Sequence, residues 1–127
     1  MIRYPSSSDI FIEVNGIRLG VAQSYRARTT RESRYVEAFG SLEPVGTVGG
    51  RVKHLLELTR VCLNGSTIGD GIDFHQLSGF NVVIVKPGCR IIYSGCEWSA
   101  IDENAALGNV VLESVSVVAS KRMEVSA

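Results

Sequence analysis

The chain has 127 residues, 45% of them hydrophobic, and its thirteen basic and thirteen acidic side chains cancel to a net charge of zero. That size and composition fit one domain, residues 1–127, with its own core and a folded radius of gyration of about 14 Å, and exclude wholesale disorder. Balanced charge argues against a dedicated nucleic-acid binder with a strongly positive field, and no apolar run nears the roughly 20 residues that span a bilayer, so no membrane partner is expected.

Residues 1–8 are polar, with Pro5 and three serines, and read as a loose N-terminal arm. They hold no long apolar segment, so no secretory signal is expected and synthesis in a cytoplasm is the default. Asp9 to Val14 (DIFIEV) reads as a strand with Ile10, Ile12 and Val14 on one face. Asn15-Gly16 follows, the preferred pair for a type I′ turn, in which both central residues need φ > 0. The returning strand alternates over eleven residues: Ile17, Leu19, Val21, Tyr25 and Ala27 on one face, Arg18, Gly20, Ala22, Ser24, Arg26 and Arg28 on the other. A period of two is a strand signature. Arg18, Arg26 and Arg28 thus form one polar row, either solvent-facing or turned to a subunit interface or channel.

Thr29 to Gly50 has no sustained period and, at twenty-two residues, exceeds most connections in compact domains. Tyr35, Val36, Phe39, Leu42, Val45 and Val48 recur through it among Gly40, Gly46, Gly49 and Gly50, unlike a disordered linker. The expectation is a projecting loop or hairpin that orders on a partner, because a small soluble domain rarely leaves that much apolar surface uncovered. The plain alternative is a loop folded back on its own sheet. Arg51 to Leu63, thirteen residues without Gly or Pro, reads as a strand of mixed parity, buried on both sides or bulged. A helix over Val52–Val61 competes. Asn64-Gly65 ends the strand.

Asp70 is placed to cap a short helix over Ile72–Leu77. Phe80–Val85 is a continuous apolar strand, Lys86-Pro87-Gly88 a turn, and Arg90–Ser94 its return, continuing as Cys96–Ile101 after a bend at Gly95. Asp102–Gly108 (DENAALG) reads as a small polar connection and Asn109–Ser120 as the last long strand. Lys121, Arg122 and Glu124 end the chain in charge. The expected fold is therefore mostly β, an antiparallel β-barrel or sandwich of six to seven strands with one short flanking α-helix and a long projecting arm.

Chemistry-bearing motifs are missing: there is no GxSxG, Walker loop, GxGxxG or HExxH. The odd set Cys62, Cys89 and Cys96, with only His54 and His75 beside it and no CxxC, fits buried thiols better than disulfides or zinc. His75 near Asp73 lacks a nucleophile and reads as a surface histidine. Glu97, Asp102 and Glu103 flank a turn and read as a solvated or subunit-facing cluster. No enzyme activity and no cofactor are expected.

The order of elements resembles the tail tube proteins of contractile phage tails, phage-tail-like bacteriocins and related contractile injection systems. The likeness lies in the NG hairpin (IFIEVNGIRLGVAQSYRAR), the glycine-bearing arm (VEAFGSLEPVGTVGG), the strand RVKHLLELTRV, and the meander ending GCEWSAIDENAALGNVVLESVSVVASKR. It covers nearly the whole chain. The resemblance implies a structural subunit that self-assembles into stacked, hexameric rings forming the inner tube of a tail or injection particle. Sheath and baseplate proteins would be partners, and DNA or cargo only a transient passenger. By position it places the subunit and ring interface on the arm, at Arg34, Val36, Phe39, Leu42, Glu43, Val45, Val48 and Arg51, and it locates the protein in the virion or phage-tail-like particle. Two alternatives stay open: a tube-initiating or baseplate-end ring of the same fold, and a monomeric small β-barrel that binds a ligand.

Overall fold

The computed structural model describes residues 9–62 and 71–126. The expected N-terminal arm, the Asn64-Gly65 turn and the Asp70 cap lie outside the described residues. Eight strands are described: β1 (Phe11–Val14), β2 (Ile17–Arg18), β3 (Ala22–Val36), β4 (Gly46–Cys62), β5 (Phe80–Lys86), β6 (Cys89–Asn104), β7 (Val111–Ala119) and β8 (Lys121–Ser126). All pair antiparallel, in the order β2-β1-β5-β6-β7-β4-β3, with β8 also on β6. This is one open sheet with β2 and β3 at its ends, rather than a closed barrel. Its two halves share a single core: Ile12, Val14, Phe80, Val82, Ile84 and Tyr93 from one half meet Leu56, Leu58, Val115 and Val117 from the other. Fully burying such a side chain is worth about 1.5–3 kcal/mol.

Asn15 (φ 50) and Gly16 (φ 81) adopt the positive φ values that a type I′ turn demands. The returning strand is much shorter than its alternation suggests. β2 holds two residues, Leu19 is drawn into the core at 4% exposure, and the chain turns at Gly20 and Val21. Val21 has φ 47, unusual for a β-branched residue, and its carbonyl accepts a hydrogen bond from the Val61 N–H at 3.0 Å. From Ala22 the chain enters the other half of the sheet and pairs with β4. One sequence period thus spans two strands, because burial of Leu19 keeps the alternation while the backbone changes direction.

β4 is a continuous seventeen-residue strand that starts before the expected Arg51 and excludes the competing helix. Its inward residues Leu56 and Leu58 are buried, as is Val61. The expected α-helix is a single 3-10 turn, Phe74–Gln76, capped by Asp73, whose Oδ1 accepts from the His75 N–H at 3.1 Å. Phe74 is its buried anchor, edge-on to Phe80. Arg60 holds this segment to the sheet. Its Nη2 donates to the Ile72 carbonyl at 2.7 Å, its Nε to Glu113 Oε1 at 3.0 Å, and its guanidinium lies 5.1 Å from the centre of the Phe74 ring. Arg60 shares the parity of Leu56 and Leu58, so alternation puts it on the inward face although its charge suggests the surface. The charged tail is also a strand: β8 continues along β6 after a break at Ser120.

Removing one member of a buried ion pair strands the other and costs about 3–5 kcal/mol. Arg60→Ala is expected to lower unfolding free energy by about 3 kcal/mol in a denaturant titration, and Arg60→Met with Glu113→Leu by clearly less. Equal losses would show that the ion pair itself is not what holds the segment. The Cys96 thiol is fully buried, and desolvation pushes its pKa up to about 11. At pH 8 only about one thiol in a thousand would be thiolate. Iodoacetamide labelling followed by mass spectrometry is expected to modify Cys96 last of the three cysteines, and only on unfolding.

Candidate assembly surfaces

Beyond Thr29 and His54, β3 and β4 leave the body together as a two-stranded ribbon. The register runs from Arg31↔Val52 to Val36↔Gly46, and every residue from Arg31 to Lys53 is exposed. Between Arg31↔Val52 and Ser33↔Gly49 the ladder slips by one, so Gly50 and Arg51 together face Glu32. A Cβ on Gly50 would overlap the Glu32 backbone carbonyl, which explains a glycine at this bulge. The tip is itself hydrogen-bonded: Val45 N–H donates to the Val36 carbonyl at 2.9 Å, and Ser41 Oγ to the Glu43 carbonyl at 2.6 Å. Phe39 and Leu42 at this tip are fully exposed, at 110% and 105%.

Alternation sorts the other arm residues onto two faces. Arg34, Val36 and Val48 continue the face that carries Arg26 and Arg28 on the body, while Tyr35 and Val52 lie on the opposite face. Tyr35 and Val52, at 68% and 50% exposure, are not among the interface residues expected from the sequence. The ribbon is therefore apolar on both sides. No sharp boundary falls at Gly49-Gly50, since β4 runs through both glycines and burial begins only at Leu56.

Arg18 does not join Arg26 and Arg28. It sits on β2, stacked 4.5 Å above the Phe11 ring, in the other half of the sheet. Arg26 and Arg28 lie on the outer face of the β3-β4-β7-β6 sheet, in rows that also contain acids. One row is Arg26, Glu57, Ser116 and Ala100, and the next is Arg28, Leu55, Val118 and Glu97. That face is charge-mixed and rich in small polar residues rather than basic.

The β6–β7 connection is less polar than DENAALG suggests: Leu107 is 105% and Val110 55% exposed. Its place follows from register. β7 begins opposite Cys62, the far end of β4 from the ribbon. His54, at the ribbon's foot, is eight residues back along β4, about 27 Å at ~3.4 Å per residue. Ribbon and β6–β7 tip thus project from opposite ends of the sheet. At the ribbon end the two sheet halves part around a cleft of about 470 Å³, with Tyr25 and His54 on one wall and Lys86, Ile91, Tyr93 and Arg122 on the other. His54 Nδ1 is 3.1 Å from Thr29 Oγ1 and its ring meets Tyr93 edge-on at 6.3 Å. His75 Nδ1 lies 3.2 Å from Asp73 Oδ1 on the exposed 3-10 turn, where the carboxylate serves as a cap.

No protein-family model matches the chain, and no curated protein matches it. Solved structures do match. The cap that terminates the anti-feeding prophage tube aligns over 100% of this chain and 95% of its own, with a TM-score of 0.71 and 10% identity. The sheath–tube complex of the extracellular contractile injection system PVC aligns over 96% of this chain and 91% of its own, with a TM-score of 0.69 and 10% identity. The tail of an empty gene transfer agent particle, refined with C6 symmetry, aligns over 96% of this chain and 98% of its own, with a TM-score of 0.67 and 12% identity. The chain has the fold found in these tube and tube-cap structures.

Exposed side chains on a ribbon tip add little to the stability of their own subunit. Phe39→Ser with Leu42→Ser is expected to leave monomer unfolding within about 0.5 kcal/mol of wild type, whereas Leu58→Ala should cost roughly 2–5 kcal/mol. Thermal and denaturant melts of dilute protein decide this. A large loss from the tip pair would mean that the ribbon packs on its own body.

Proposed function

We propose that the chain is a structural subunit that builds stacked rings, the inner tube of a phage tail or a phage-tail-like injection particle. The observation that carries this is the ribbon: on a tail-tube fold, it stands clear of its own core with Phe39 and Leu42 fully exposed at its end. Arg34, Val36, Phe39, Leu42, Glu43, Val45, Val48 and Arg51 are the residues proposed to meet a neighbouring subunit or ring, joined by Tyr35 and Val52 from the second face. Covering such a ribbon on both sides requires other copies, and repeated heterologous contacts make rings and stacks rather than closed dimers. Six per ring is the proposed number, after the C6 symmetry of the gene transfer agent tail. Sheath and baseplate proteins are the proposed outer and end partners, and the channel conducts DNA or cargo without a chemical step. Arg26 and Arg28, on the charge-mixed outer face, are the candidate channel or interface residues.

The likeness to the anti-feeding prophage cap favours a second reading, an end-of-tube ring on the same fold. The two differ in product. A main-tube subunit gives long tubes; an end ring gives single rings.

Negative-stain microscopy of concentrated protein, alone and co-expressed with its neighbouring genes, is expected to show rings or tubes. A 13.7 kDa monomer under both conditions would overturn the proposal. Replacing residues 37–45 with Asn-Gly, which closes the ribbon by a two-residue turn, should leave a folded monomer that no longer assembles. Unchanged assembly would remove the ribbon from the interface.

A further inference from the structure

The two ends of the sheet differ in charge as well as in shape. At the ribbon end, the cleft between the sheet halves has cations at its rim, Lys86 at the end of β5 and Arg122 on β8, and an apolar and aromatic floor of Ile91 and Tyr93. Arg122 Nη2 is 3.8 Å from Glu124 Oε2, the acid that shares its strand. At the other end, the β6–β7 tip holds fully exposed Leu107 between exposed Asp102 and Glu103 on one side and Val110 on the other. Glu103 stands directly across the ladder from Glu113, which is already bound to Arg60. Like charges facing each other across a ladder are destabilising. Both carboxylates also act on Cys62, whose thiol is raised chiefly by burial and then by Glu113, against a lowering by Arg60, with Glu103 adding to the rise.

From this complementarity we infer that the β6–β7 tip of one copy seats in the ribbon-end cleft of the next, with Leu107 against the apolar floor and Asp102 and Glu103 against Lys86 and Arg122. The contact rests on the tube reading above and names a pair of surfaces for it apart from the ribbon. Donor and acceptor lie at opposite ends of the same sheet, so each copy that accepts a tip presents its own. The contact is head-to-tail and does not close on itself. It also fixes the direction of the stack, because a reversed copy would set cation against cation at one junction and acid against acid at the next.

Among the described residues, the ribbon tip is the other acidic and apolar finger, with Glu37 and Glu43 around Phe39 and Leu42, so the experiment must separate the two. Three charge-reversed chains are made: Lys86→Glu with Arg122→Glu, Asp102→Lys with Glu103→Lys, and Glu37→Lys with Glu43→Lys. Each cleft–finger combination is also made in one chain. Circular dichroism melts confirm folding, and pelleting with microscopy measures tubes. The expected result is that the cleft variant and the β6–β7 variant each lose at least tenfold in pelleted tube, and that their combination recovers most of it. Rescue of the cleft variant by the Glu37 and Glu43 reversal instead, or cleft and tip variants that assemble like wild type, would overturn the assignment while leaving the tube reading intact. Wild-type protein that forms no assembly even when co-expressed with its neighbouring genes would remove both.

Discussion

β6 carries the pairing of both halves of the sheet, and the rest of the molecule depends on how it bends. Its first half lies between β5 and β8, and its second half pairs with β7. The turn-over point is Gly95, at φ 62, where a Cβ would run into Ser120 Oγ. Ser120 occupies that space and ties the corner, with its N–H and its hydroxyl both donating to the Ser94 carbonyl at 3.1 Å. Beyond this corner β8 stays with β6, while β4 has paired with β7 only as far as His54↔Ala119. The sheet therefore splits at one row. The cleft and the free ribbon are two results of that split: one sheet half leaves with β8, the other loses a neighbour and continues as β3 and β4 alone.

The split explains why so small a protein carries so much uncovered apolar surface. A two-stranded ribbon is marginal in water by itself, since it has no third strand or helix to bury a face against. This one is extended from long strands whose inner ends are anchored by Leu56 and Leu58, both nearly fully buried, so its register is set before it leaves the body. The Gly50 bulge adds local twist, and the exposed Lys53–Glu32 pair at 3.5 Å adds little. Rigidity of this kind lowers the ordering cost of binding a partner. At the opposite end the body closes by a different device. Arg60 brings charge into the core, an arrangement with a desolvation cost, and uses it to bond the Ile72 carbonyl and to lie over the Phe74 ring. That fixes a segment whose single 3-10 turn would not hold its place alone.

Strands, the type I′ turn, the bend at Gly95 and the projecting apolar stretch were legible in the residues, because each rests on local rules of period, turn chemistry or composition. What was not legible rests on contacts distant in sequence. Alternation through Ile17–Arg28 reads as one strand because side-chain parity survives the corner at Leu19–Val21, where backbone direction does not. That error grouped Arg18 with Arg26 and Arg28. The helix expected at Ile72–Leu77 reduces to one turn because Phe74 and the Arg60 bond fix the backbone, overriding local propensity. Leu107 was hidden by acidic and small neighbours in DENAALG, and only its full exposure reveals it. The tail, read as charged and terminal, pairs with β6 through backbone groups to which side-chain charge is indifferent.

Net charge of zero hides local groupings of charge, with Lys86 and Arg122 at the cleft near the foot of the ribbon and Asp102 and Glu103 near the far tip. A neutral subunit has little long-range repulsion to oppose stacking, so what governs assembly is whether contacts made at short range are complementary. Self-complementary patches would favour two-fold dimers, which end growth. In the proposed contact, Ile91 and Tyr93 of the cleft lie beside Lys86 and Arg122, and Leu107 of the far tip lies near Asp102 and Glu103. Two identical ends brought together would bury like charges beside their apolar contacts, and only opposite ends avoid that cost. On the proposed contact, the same sheet that separates ribbon from tip by about 27 Å would also select the open, polar mode of association over the closed one. A tube needs that selection before any partner protein determines its length.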